Sequence, residues 1–268
     1  MSNQPIICDS HAHYDSRQFN VDRDKLLNSM PNVGCVINVG CDIPSSKASI
    51  ALAEKYNDDQ ALSKLQIYAT VGVHPHEAKS LNDKSLQTLE SLCSNERVVA
   101  FGEIGLDFYR NLSPQDTQRH WFKQQLDLAN KLNLPVVIHS RDAGDETFDI
   151  IEKSPVRKGV IHSYSGDAEM ALDYVALGFY IGISGVITYD KTKKLQGVVA
   201  AIPIDKILIE TDAPYLTPVP YRGKRNESSY LRYVAESIAT IKGTTPENVC
   251  TDTYKNAHRL FGIAALEI

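Results

Sequence analysis

Eight short apolar runs recur along the sequence, and each is followed by enough residues to form a helix. The runs are continuous rather than alternating, which is typical of strands buried on both faces of a parallel sheet. Eight such strands alternating with helices predict a closed (β/α)8 barrel, a TIM barrel, formed as a single domain by residues 1–268. In chain order the runs are Ile6–Cys8, Cys35–Cys41, Ile67–Val73, Val98–Gly105, Pro135–Ser140, Gly159–Gly166, Phe179–Gly185 and Ile207–Pro214.

Three of the intervening segments have recognisable helix ends. The pair Ser113–Pro114 predicts an N-cap followed by proline at the first helical position, and this helix should end before Pro135. Asp167 is expected to cap a second helix that ends at Gly178. The pair Thr245–Pro246 predicts the start of the last helix.

Composition excludes several classes of protein. The chain has 43% hydrophobic and 23% charged residues and a net charge of −5, which disfavours a protein that coats nucleic acid. No apolar run approaches the roughly 18–20 residues that a membrane helix needs, so we predict a cytoplasmic protein without membrane contact. Its five cysteines form no CxxC pair and are expected to be reduced thiols. The sequence indicates no obligate protein partner.

Polar residues interrupt the apolar runs at one consistent place, the carboxyl end of each predicted strand. In a parallel barrel these ends open onto a single face, where barrel enzymes have their active sites. Residues two apart in a strand point the same way, so the first two histidines can bind one ion together. The residues concerned are His11, His13, Glu103, His139, His162 and Asp212.

Taken alone, each of these six residues has an ordinary structural explanation, such as a histidine that hydrogen-bonds the backbone at the end of a strand. Six together at matching strand ends indicate a metal centre, because buried polar groups need compensation. The mixed nitrogen and oxygen donors suit Zn²⁺ or Mn²⁺, and Mg²⁺ less typically. Six ligands exceed the need of one tetrahedral ion, so we predict two ions, with Glu103 or Asp212 between them.

Further polar residues are predicted to bind substrate. His74 and His76 follow a strand and are outer ligands, substrate contacts or parts of a turn at Pro75. Arg141 lies two residues after His139, and a guanidinium binds two phosphate oxygens at once. The loop after the last strand adds Arg222, Arg225 and Asn226 to the expected substrate-binding residues.

Nine ordered blocks resemble those of the TatD family of metal-dependent hydrolases, from about Ile6 to Gly262. The blocks are SHAHYD, GVHPHEA, GEIGLDFY, PVVIHSRDA, GVIHSYSG, YIGISG, LIETDAPYLTP, RGKRNE and NAHRLFG. The resemblance implies a divalent-metal-dependent deoxyribonuclease that acts in DNA repair or degradation, commonly as a 3′→5′ exonuclease on single-stranded DNA and sometimes RNA. It implies metal ligation by the same six residues. One departure is Ser228, where family members often have proline.

The expected reaction is hydrolysis by water that bound metal activates. We expect His11, His13, Glu103 and Asp212 to bind one ion and Glu103, His139 and His162 the other, with Glu103 and Asp212 as catalytic residues. Asp212 would also serve as general base. The alternative is an ester or amide hydrolase on the same scaffold, such as a D-aminoacyl-tRNA deacylase. A non-catalytic scaffold is disfavoured because all six expected ligands are present.

Overall fold

The computed structural model describes residues 5–58 and 65–264. Within them, eight parallel strands pair in sequence order around one sheet. Helices surround the sheet, so the predicted (β/α)8 barrel is confirmed. The strands are β1 Ile7–Ala12, β2 Val33–Asn38, β3 Gln66–Val71, β4 Val98–Asp107, β5 Val136–Arg141, β6 Gly159–Ile161, β7 Tyr180–Ile183 and β8 Ile207–Ile209.

The helices lie between and after the strands. Those at the predicted N-cap residues Asp167 and Thr245 are confirmed, because each side chain accepts a hydrogen bond from the backbone of the first turn. The described helices are α1 Arg23–Asn28, α2 Ile43–Asp58, α3 Asp83–Leu92, α4 Gln115–Lys131, α5 Gly144–Lys153, α6 Ala168–Ala176, α7 Lys194–Ala201, α8 Leu231–Lys242 and α9 Pro246–Phe261.

The predicted cap of α4 is wrong. The helix begins at Gln115, so Pro114 occupies the N-cap position and Ser113 lies outside the helix. The Ser113 hydroxyl instead donates a hydrogen bond to the carbonyl of His76 at 2.8 Å and accepts one from the backbone of Lys79 at 3.1 Å. Ser113 therefore ties α4 to the loop after β3. The predicted end of α4 before Pro135 is confirmed.

The strands are buried on both faces, as their apolar runs predict. One layer of apolar side chains joins the strands to the outer helices. The strand residues that face the opposite way form a second cluster, which is the barrel interior and packs against Tyr254 and Phe261 of α9. Helix α9 therefore closes the end of the barrel that is opposite the carboxyl ends of the strands.

The barrel closes between β1 and the segment after β8. The backbone of Asp212 donates to the carbonyl of His11 at 2.9 Å, and the backbone of His13 donates to the carbonyl of Ala213 at 2.8 Å. The Ser10 hydroxyl donates to the carbonyl of Ile209 at 3.1 Å. The first and last strand ends are consequently held side by side.

Two further properties concern the cysteines and the helices that the structure describes. All five cysteines are unpaired, in agreement with the predicted thiols. Among the helices of the described residues, none combines the length and the apolar character needed to cross a bilayer.

Close packing of β4 on β5 yields the first prediction. Gly105 has a φ of +145°, and a Cβ there would lie 1.9 Å from the carbonyl oxygen of His139. Gly105→Ala should lower the free energy of unfolding by about 1–3 kcal/mol, because the strands would have to separate. Urea unfolding measures this change.

The control is Gly197→Ala in α7, where nothing lies within 4 Å of the added methyl group. Alanine there should stabilise the helix by about 0.5–1 kcal/mol. A Gly105→Ala protein as stable as the wild type would contradict the described packing.

Candidate metal centre

His11 and His13 bring two ring nitrogens together at the end of β1. Their Nε2 atoms are 3.2 Å apart, and His11 is fully buried. Nδ1 of His13 lies 3.0 Å from the carbonyl of Val39, so Nδ1 carries the hydrogen and Nε2 presents its lone pair. Two ring nitrogens this close together could bind one cation.

Two carboxylates face the same nitrogens. Oδ1 of Asp212 lies 3.4 Å from Nε2 of His13 and 3.7 Å from Nε2 of His11. Oε2 of Glu103 lies 3.6 Å from Nε2 of His11. This set of nitrogen and carboxylate donors fits a divalent cation of the predicted kind.

His139 and His162 extend the cluster along the barrel mouth. Nδ1 of His139 lies 2.9 Å from Oε1 of Glu103. Nε2 of His162 lies 4.0 Å from Oε1 of Glu103 and 3.8 Å from Oδ1 of Asp212, and the His162 ring stacks on His11 with 3.5 Å between centroids. The structure thus brings all six predicted ligands into one cluster.

The grouping of these ligands differs from the expected division into two sets. His162 forms a close group with His11 and Glu103, whereas His139 groups with Glu103 and His74. The stacking on His11 draws His162 toward β1. Glu103 belongs to three of the four close groups found among the described residues, so it is the most central of the donors.

Four residues lie near the cluster in addition to the six predicted ligands, and only His74 among them is a possible outer ligand from the sequence. Buried His74 has its Nε2 3.7 Å from Glu103, and half-buried Cys41 has its thiol 3.6 Å from the same carboxylate. Asp107 contacts His139 at 3.0 Å, and Glu210 contacts Nδ1 of His162 at 2.8 Å. Asp107 and Glu210 have the spacing that could have revealed them, because each lies an even number of residues from a predicted ligand on the same chain segment.

Burial and charge act in opposite directions on these groups. Burial alone would raise the pKa of Glu103, but His74, His11 and His139 hold it well below the ordinary carboxyl range. Burial would lower the pKa of His162, but the carboxylate of Glu210 raises it to about 9. Burial and the neighbouring His162 lower the pKa of His11. The carboxylates are thus ionised and His11 is neutral. Neighbouring thiol and carboxylate groups raise the pKa of His13, His139 and His162 against the effect of burial, so a metal ion would bind by displacing their protons.

A cavity of about 350 Å³ opens beside the cluster. His139, His162 and Asp212 form one side. The rest comes from the end of β5, the loops after β6 and β7, the start of α7 and Leu216 after β8. Arg141 lies on its wall with the guanidinium 3.9 Å from the ring centroid of Tyr109. The cavity gives a substrate direct access to three of the predicted ligands.

The other predicted substrate-binding residues have different surroundings. Arg222 is exposed and stacks on Tyr189 at 3.7 Å. His76 is partly exposed, and its Nε2 lies 2.8 Å from Asp107.

The structure does not fit a substrate contact for the last two residues. Arg225 pairs with Asp22 through both terminal nitrogens, at 2.8 and 2.7 Å. Asn226 is fully buried, and its amide donates to the carbonyls of Thr211 and Tyr215. Both side chains hold the loop after β8 in place, which corrects the expected role in substrate binding.

Known proteins resemble the chain over almost its whole length. Residues 8–262 match the family model described as TatD related DNase. The chain belongs to the TatD family. A Bacillus subtilis protein named uncharacterized metal-dependent hydrolase YabD is 38% identical over 262 residues, which cover 96% of this chain and all of that protein. The predicted enzyme class, a metal-dependent hydrolase, is thereby confirmed.

Two other TatD proteins also match the chain over more than nine-tenths of its length. The Cronobacter sakazakii 3′-5′ ssDNA/RNA exonuclease TatD is 34% identical, with 92% of this chain and 94% of that protein covered. The crystal structure of YJJV, a TatD homologue from Escherichia coli, superposes with a TM-score of 0.88 at 30% identity, covering 96% of this chain and 98% of that one.

Ser228, where family members often have proline, forms two hydrogen bonds that proline could not form. Its hydroxyl donates to Asp9 at 2.6 Å, and its backbone N–H donates to the hydroxyl of Tyr14 at 2.8 Å. Proline has neither a hydroxyl nor an N–H. These bonds fix the start of the segment that leads into α8.

Central placement of Glu103 yields the second prediction. Glu103→Gln should lower divalent-ion content most strongly of the six predicted ligands, because the carboxylate belongs to three close donor groups. Metal per chain is measured by atomic emission after dialysis against Zn²⁺ or Mn²⁺. Glu146→Gln, which changes a surface partner of Arg119, is the control. Equal metal content in both variants would contradict a metal centre at Glu103.

Proposed function

We propose that this TatD protein is a divalent-metal-dependent nuclease that removes nucleotides from the 3′ end of single-stranded DNA, and also of RNA. The observation that best supports this is the cavity that joins the metal cluster to Arg141. A phosphate in that cavity meets a guanidinium on one side and the predicted ligands on the other. A relative named as a 3′-5′ ssDNA/RNA exonuclease, 34% identical, gives independent support.

The cluster would hold two ions. His11, His13, Glu103 and Asp212 would be the ligands of one ion, and Glu103, His139 and His162 the ligands of the other. Mg²⁺ is the expected ion for nuclease activity, with Mn²⁺ or Zn²⁺ as substitutes. Such ions lower the pKa of water toward neutrality and neutralise charge on phosphoryl oxygens. The cluster fits this role because two carboxylates and several imidazole nitrogens converge within it.

Asp212 is the proposed general base, which takes a proton from the attacking water. Its carboxylate lines the cavity and is ionised, because His13 and His162 lower its pKa against the effect of burial. The side chain therefore faces the space where the water and the phosphate would meet. Glu103 lies deeper and acts as a ligand.

Arg141 and Arg222 are the proposed phosphate-binding residues. Neither forms an ion pair with a carboxylate in the part of the chain that the structure describes. Stacking on Tyr109 and Tyr189 restricts the two guanidinium groups without neutralising them. Both arginines thus stay available to an anionic substrate. A cytoplasmic role in DNA repair or degradation stays a prediction.

A direct assay of the proposed reaction is the third prediction. The protein with Mg²⁺ or Mn²⁺ should release the label of a 3′-labelled single strand as a mononucleotide at once. It should convert a 5′-labelled strand into a ladder of progressively shorter labelled products. Asp212→Asn should reduce the rate by about 10²–10⁴-fold, as expected for loss of a general base. Product sizes are read on a sequencing gel.

The same incubation with a D-aminoacyl-tRNA tests the alternative ester hydrolase. No nucleotide release in any divalent metal, at high protein concentration, would refute the nuclease. Release of the amino acid alone would favour the alternative.

The two proposed phosphate-binding residues, Arg141 and Arg222, yield the fourth prediction. Two phosphate contacts should give a shallow dependence of affinity on salt. The slope of log K against log salt concentration should be about −0.7 for each contact on a single strand. Fluorescence anisotropy of Asp212→Asn with a labelled strand measures the slope. Arg141→Gln should make the slope shallower by the amount expected for one phosphate contact. Lys153→Gln, on the outer face, should leave the slope unchanged. A slope that indicates six contacts would contradict recognition of the strand end.

A further inference from the structure

Asp107 is a buried carboxylate between two imidazoles that the proposed reaction does not use. It ends β4, four residues after Glu103, and is fully buried. Its Oδ2 lies 2.8 Å from Nε2 of His76 and 3.0 Å from Nε2 of His139. Its Oδ1 accepts a hydrogen bond from the backbone of Arg110 at 2.7 Å. Both oxygens are therefore satisfied and the carboxylate has a fixed orientation.

The position of the Asp107 carboxylate determines where the two imidazoles carry their hydrogens. Its Oδ2 is within hydrogen-bond distance of both Nε2 atoms, and its Oδ1 already accepts from the backbone of Arg110. An ionised carboxylate only accepts hydrogen bonds. Nε2 of His139 and Nε2 of His76 must consequently both be donors.

The other nitrogen of His139 faces the metal cluster. When Nε2 carries the hydrogen, the Nδ1 atom of a neutral imidazole has a free lone pair. This Nδ1 lies 2.9 Å from Oε1 of Glu103, which is also an acceptor. A second hydrogen on Nδ1 would complete this contact in the metal-free protein, and a bound cation would take the place of that hydrogen.

We propose that Asp107 is a positioning residue of the metal centre, which holds His139 by Nε2–H and leaves Nδ1 as the nitrogen that faces the cation. The same oxygen fixes the ring of His76 at the edge of the site. A carboxylate that holds the second nitrogen of a metal-binding histidine is a common arrangement, and its loss weakens metal binding by about tenfold to a hundredfold. This role is independent of the bond that the enzyme hydrolyses.

Metal titration separates the two contacts of Asp107. Apo protein is titrated with Zn²⁺ and, separately, Mn²⁺ by isothermal titration calorimetry. Asp107→Asn should weaken binding of one ion about tenfold to a hundredfold, because the amide NH2 group would face a donor, either the backbone N–H of Arg110 or the ring N–H groups. His76→Gln should bind metal like the wild type, since His76 contacts Asp107 but not Glu103.

The matched control is Asp24→Asn. Asp24 also accepts hydrogen bonds from two side chains, Lys55 and Tyr56, but contacts no imidazole. Wild-type affinity in Asp107→Asn would overturn the proposal. An equal loss in His76→Gln would also overturn it, because the effect would then pass through His76.

A second measurement uses the wild-type chain and so does not depend on the folding of a variant. Long-range ¹H–¹⁵N spectra of the Zn²⁺-loaded protein report which nitrogen of each imidazole carries hydrogen, and His139→Gln and His76→Gln identify the signals. We expect the hydrogen of His139 on Nε2. A hydrogen on Nδ1 of His139 would refute the role of Asp107. Neither measurement uses turnover, so a failed nuclease assay leaves both results valid.

Discussion

The backbone hydrogen bonds that close the barrel are also the bonds that set the spacing of the cluster. Asp212 donates to His11, and His13 donates to Ala213, so the first and last strands are joined through the residues that bear the predicted ligands. Side chains from opposite ends of the sequence are thereby held within 4 Å of one another. The same hydrogen bonds therefore close the sheet and assemble the site.

So many polar groups can be buried only because a second layer of partners lies beneath them. Asp9 accepts hydrogen bonds from the side chains of Thr211 and Ser228 and from the backbone of His11. Burial still raises its pKa to about 6 against these bonds. Glu210 plays a matching part under His162. An unsatisfied buried group costs about 1–3 kcal/mol, so this layer prevents a large loss of stability.

The sequence predicts the barrel well because each strand is a continuous apolar run, even β6 and β8 with only three residues each. It predicts the cluster because two local features are enough to find it: side chains two residues apart on a strand face the same way, and the end of each apolar run marks the end of a strand. It does not predict Asp107, which follows the first polar residue of its run. It also misassigns Arg225, because the partner Asp22 lies about two hundred positions earlier in the chain. Contacts between distant segments are decided by the closed barrel.

Strands and loops contribute different parts of the site. Glu103 and Asp107 belong to the ten-residue strand β4, whereas much of the cavity wall comes from the loops after β6 and β7. A loop can change in length or side chains without moving the strands beneath it. Substrate preference in this architecture can therefore diverge quickly during evolution while the hydrolytic chemistry is inherited unchanged.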